Sequence, residues 1–173
     1  MKIETTILKN LLQNEDYARK VLPFLNDEYF TENSDKIIYN QINNFILKYN
    51  SLPNKEALNI ELSEAKITEE DFKESVNLIN EIGKDDQEFS DLSWLLDTTE
   101  KFCQDKAIYN AVVESISILD NPKSTTDKGA IPDILSDALS VSFDPHVGHD
   151  YIDDSSERFD YYHRVEERIP FDL

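Results

Sequence analysis

An all-α fold follows from three features of this 173-residue chain. Apolar residues recur at spacings of three, four and seven along most of its length, capping residues precede several of these segments, and no convincing alternation marks a strand. The longest periodic segment, 90–119, organises the rest. In it Leu92, Leu95, Phe102, Tyr109, Val113 and Ile116 line one stripe of a helix about 45 Å long at 1.5 Å per residue. Polar Thr99 and Lys106 occupy alternate positions of that seam, which points to a helical hairpin or a subunit contact rather than an ordinary core helix.

The shorter elements follow in chain order. Ile7, Leu8, Leu11 and Leu12 define a first helix, and Asn14 caps a second that carries Tyr17, Val21 and Leu22 and meets Pro23 near its end. Asn26-Asp27-Glu28 restarts the chain. Ser34 or Asp35 then caps a helix reaching Tyr49, with Ile38, Ile42, Phe45, Ile46 and Tyr49 on one face. After the turn Asn50-Ser51-Leu52-Pro53-Asn54, a fourth helix runs through Ala57, Leu58 and Leu62. Thr68-Glu69-Glu70-Asp71 opens a fifth, with acid in its first turn and Phe72, Val76, Ile79 and Ile82 as its buried stripe up to Gly83. A polar loop leads into the long helix, which stops at Asp120-Asn121-Pro122. The helical pattern from Ile131 through Ile134, Leu135 and Ala138 continues into Leu139–Phe143, read as helix fraying near Asp144-Pro145. Finally Asp153-Asp154-Ser155 caps a helix with Phe159, Tyr162, Val165 and Ile169 on one side, an apolar stripe suited to a neighbouring subunit.

Composition narrows the functional classes. The chain is 39% hydrophobic and 31% charged, long enough to bury a real core, and no apolar run approaches the ~18 residues that cross a bilayer. The start is amphipathic rather than signal-like, so a cytoplasmic location and no membrane contact are expected. Lys and Arg number 17 against 36 Asp and Glu, a formal charge of −19 that repels phosphate backbones and disfavours direct binding of nucleic acid. The lone Cys103, among apolar neighbours, reads as a buried structural thiol.

Catalytic constellations are weak throughout. His146, His149 and Asp150, with Asp144 and Asp153 nearby, offer imidazole and carboxylate at short spacing, but the H-x-x-H pair sits on a Pro/Gly loop without a fixed third ligand. A His–Asp pair fixing a turn is the simpler reading, and His163 is most simply a surface or interface residue. Carboxylate pairs such as Asp85-Asp86 are too abundant to single out an acid/base couple. Three glycines and no G-x-x-x-x-G-K-[ST] exclude a P-loop nucleotide site. No catalytic, cofactor or metal residues are therefore expected, and the chain is not expected to be an enzyme.

The ordered motifs Ile7-Leu8…Leu12, Tyr17…Val21-Leu22-Pro23-Phe24…Glu28-Tyr29-Phe30, Ile38…Ile42 and Leu52-Pro53…Ala57-Leu58 resemble the N-terminal domain of DnaB-type replicative helicases. In the second half, Ser93-Trp94-Leu95…Thr99-Glu100, Gly129-Ala130-Ile131-Pro132-Asp133-Ile134, Ala138–Asp144, Val147–Asp150, Asp153-Asp154 and Pro170-Phe171 look like the T-even-type phage branch of that family. The similarity spans nearly the whole chain and is strongest over Gly129–Asp154.

The resemblance implies a globular helical head over 1–89, a helical hairpin over 90–143, an irregular linker over 144–152 and a linker helix over 153–169. Residues 170–173 would be the truncated start of a RecA-like motor domain. It further implies a collar on a hexameric ring, with the Leu92–Ile116 seam as a subunit contact and Phe159, Tyr162, Val165 and Ile169 packing on an adjacent motor. Implied partners are copies of the chain, a primase and a helicase loader; ATP, Mg²⁺ and DNA would be handled only by the motor, for translocation 5′ to 3′ on single-stranded DNA. The charge of −19 keeps a different class open, a self-standing acidic DNA mimic or regulatory binding protein.

Overall fold

The computed structural model describes residues 2–83, 91–120 and 126–143. Among them are seven α-helices and no strand: α1 Ile3–Gln13, α2 Glu15–Val21, α3 Asn33–Tyr49, α4 Lys55–Glu64, α5 Glu69–Ile82, α6 Leu92–Asp120 and α7 Ile131–Leu139. Short 3₁₀ turns occupy Leu22–Phe24, Asp27–Tyr29 and Lys128–Ala130. The fold is all-α.

Local chemistry sets most of the boundaries. The Asn14 side chain accepts from the Tyr17 amide at 3.0 Å, and Asn54 accepts from Ala57 at 2.8 Å, each satisfying a donor that has no partner within its helix. At the start of α5 the Thr68 hydroxyl accepts from the Asp71 amide at 3.1 Å and donates to the Asp71 carboxylate at 2.7 Å. α3 ends at Asn50, whose φ of 51° is the left-handed conformation that a short polar side chain tolerates. α3 begins at Asn33 after Glu32, which makes no side-chain cap, so neither Ser34 nor Asp35 is the capping residue. Both are buried within the first turn instead.

One core joins α1 to α6. Ile7, Leu8 and Leu11 meet Tyr17, Val21, Ile38, Ile42, Leu58, Leu62 and Ile79, all essentially without solvent exposure. Phe30 stacks on Tyr39 with centroids 5.1 Å apart and tilts against Phe102 at 6.2 Å. Leu95, Phe102 and Cys103 of α6 belong to this core. Burial pushes the Cys103 thiol up to about 12, so it stays protonated and unreactive at neutral pH.

The last described segment departs from the sequence expectation. α7 stops at Leu139, and residues 141–143 are not helical. Side chains of α6 capture this stretch: Gln104 donates to the Val141 carbonyl at 3.0 Å, and Glu100 accepts from the Ser142 hydroxyl at 3.0 Å and the Phe143 amide at 2.9 Å. Phe143 then stacks on Phe24 at 4.8 Å. Tertiary hydrogen bonds replace the helical ones that the apolar pattern promised.

Candidate functional site

Among the described residues, most of the exposed large apolar side chains lie on α6. One side of its first half packs into the head through Leu95, Phe102 and Cys103, and Ala107 and Ala111 pack with Ala138 of α7. On the other side of its second half, Tyr109 is 66% exposed, and Val112, Val113, Ile116 and Leu119 are all near half-exposed. The spacing of three and four places these five side chains on one continuous stripe. An exposed apolar stripe of this kind, on the side of α6 away from the residues buried in its second half, suits a contact surface better than a catalytic one.

The single seam read from the sequence is thereby divided. Leu95 and Phe102 lie in the head core, Leu92 is half-buried against it, and Tyr109, Val113 and Ile116 face outward. Seven residues fall only ~20° short of two full turns on a straight helix, so Phe102 and Tyr109 share a direction, and their different burial comes from which elements pack beside each half of α6. Val112 and Leu119 complete the outer stripe, although the heptad reading passed over them. An i, i+3, i+4 count begun afresh at Tyr109 would have found both.

The polar interruptions of the seam are satisfied inside the chain. Thr99 is fully buried, shares a 2.8 Å hydrogen bond with the Tyr17 hydroxyl and donates to the Leu95 carbonyl at 2.7 Å. Burial raises the Tyr17 pKa. Lys106 donates to the Thr31 hydroxyl at 2.9 Å and lies 3.6 Å from the Glu4 carboxylate, which also accepts from the Thr31 amide and hydroxyl at 3.1 and 2.9 Å. Thr99 and Lys106 therefore anchor α6 to the head.

Other expected positions lie outside the described residues: Phe159, Tyr162, Val165, Ile169 and His163, and His146, His149 and Asp150 of the weak metal constellation. Among the described residues no group of three His, Cys, Asp or Glu is placed to hold a metal ion. No described helix is long and apolar enough to cross a membrane.

Fold and surface together define an all-α domain built around one long helix with an exposed apolar stripe. No family model matches the chain. Over 175 aligned residues it is 35% identical to the DnaB-like replicative helicase of Enterobacteria phage T4, an alignment that takes in 96% of this chain and 36% of that protein. Nearly the whole chain is thus similar to a DnaB-type replicative helicase, and it spans about a third of the length of that relative.

Proposed function

We propose that this chain is the N-terminal assembly and partner-binding region of a replicative DNA helicase, forming part of the collar of a hexameric ring. The observation that carries the reading is the unpartnered stripe Tyr109, Val112, Val113, Ile116 and Leu119 in a chain with this likeness to a replicative helicase. A second copy seated on that stripe would remove contiguous apolar area from water, the dominant favourable term in association. Primase or a helicase loader would use the remaining collar surface. ATP and Mg²⁺ would serve a motor domain in the longer protein, since residues 1–173 lack a P-loop sequence. Residues Phe159, Tyr162, Val165 and Ile169 would dock on a neighbouring motor.

Native mass of the longer helicase tests the collar role. Tyr109→Asp with Ile116→Asp should weaken the hexamer while leaving helical content unchanged, and Phe159→Ala with Tyr162→Ala should weaken it through the motor contact. A hexamer of unchanged mass and unchanged dilution behaviour in both variants contradicts the assignment.

A further inference from the structure

A groove of about 360 Å³ lies where the 3₁₀ turn Asp27–Tyr29 meets α6 and α7. Its apolar lining includes Tyr29, Ala107, Ala111, Ile134, Ala138 and Val141. Its polar lining includes the carboxylates Glu28, Glu114 and Asp137 and no Lys or Arg. All three are solvent-exposed and, like most carboxylates among the described residues, form no salt bridge there, so each is available to a cation. Ala107 and Ala111 stand on the opposite side of α6 from Tyr109 and Ile116, so the groove is separate from the assembly stripe.

We propose that this groove receives an Arg or Lys side chain carried on a basic, partly apolar segment of a different protein. The apolar lining suits the aliphatic stem of such a side chain, and the three carboxylates suit its charged head. Charge selects among occupants. A phosphate backbone would be repelled by the carboxylates, and a second copy of a chain with a formal charge of −19 is a poor source of the cation. A basic polypeptide meets both requirements. Ala107, Ala111 and Ala138 keep the helix–helix junction open, because larger side chains there would fill it.

The test uses two synthetic helix-forming peptides of Leu and Ala, one bearing Arg and the other Glu at the same positions, titrated into the isotope-labelled chain. The Arg peptide should give saturable amide shifts confined to residues around Asn110, Glu114, Asp137 and Val141, and the Glu peptide should give none. Glu114→Lys with Asp137→Lys should weaken the Arg peptide by about tenfold or more and create binding of the Glu peptide. The control Glu61→Lys with Glu64→Lys, on α4, should change neither. Shifts spread over the acidic surface, shifts centred on Tyr109–Leu119, equal loss in the control, or no saturable binding each overturn the proposal. Thermal unfolding of every variant separates lost binding from lost fold. Failure here leaves the assembly reading intact, because that reading depends on the opposite side of α6.

Discussion

Thr99 and Tyr17 show how a polar pair can be structural at the centre of an apolar core. Thr99→Val should cost about 1–3 kcal/mol in denaturant unfolding, because the Tyr17 hydroxyl is left buried without its side-chain partner. Adding Tyr17→Phe should recover part of that loss, giving a coupling energy in a double-mutant cycle. Asp35 carries the opposite consequence of burial. Burial and the nearby Glu4 carboxylate push its pKa up to about 6, from an ordinary value near 3.8. The fold thus favours the protonated acid: its contribution to stability is greatest below 3.8 and is lost as pH rises through about 6. Stability measured between those limits should fall less steeply with rising pH in Asp35→Asn than in the wild type. An identical slope would show that Asp35 does not titrate in this window.

At the scale of elements, the two halves of α6 should respond differently to substitution. Leu95→Ala opens a cavity in the head and should destabilise by about 2–5 kcal/mol, while Tyr109→Ala and Val113→Ala in the dispersed chain should stay within about 0.5 kcal/mol. Equal losses in urea unfolding would place Tyr109 and Val113 in a core. The caps at Asn14 and Thr68 were legible in the sequence because each acts over three residues. The long helix was legible too, but the division of its apolar residues was not. Whether Phe102 or Tyr109 faces the head depends on where α1, α3 and α7 lie, which helical spacing alone does not contain. The end of α7 was missed for a related reason: Glu100 and Gln104, some forty residues earlier, hold the backbone of 141–143. Glu100→Ala should free that stretch and raise its amide exchange while the head remains folded.

At the scale of the molecule, acidity and assembly belong to one account. A formal charge of −19 disfavours contact with a phosphate backbone, and the expected outcome is that the chain leaves the mobility of a labelled single-stranded oligonucleotide unchanged at physiological salt. The likeness to DnaB-type helicases was legible in ordered motifs along nearly the whole chain, whereas the exposed stripe of α6 emerged only with side-chain exposure. The groove between α6 and α7 had no sequence signature, because Glu28, Glu114 and Asp137 come from three separate elements. The central claim is that the outer stripe of α6 is covered by another subunit. Hydroxyl-radical footprinting tests it most directly, by comparing Tyr109, Val113 and Ile116 in the dispersed chain and in the assembled longer helicase, with exposed Tyr49 and Leu47 of the head as internal references. The account predicts strong labelling of the stripe in the dispersed chain and marked protection in the assembly, with the references unchanged; equal labelling of Tyr109 and Ile116 in both states would contradict it.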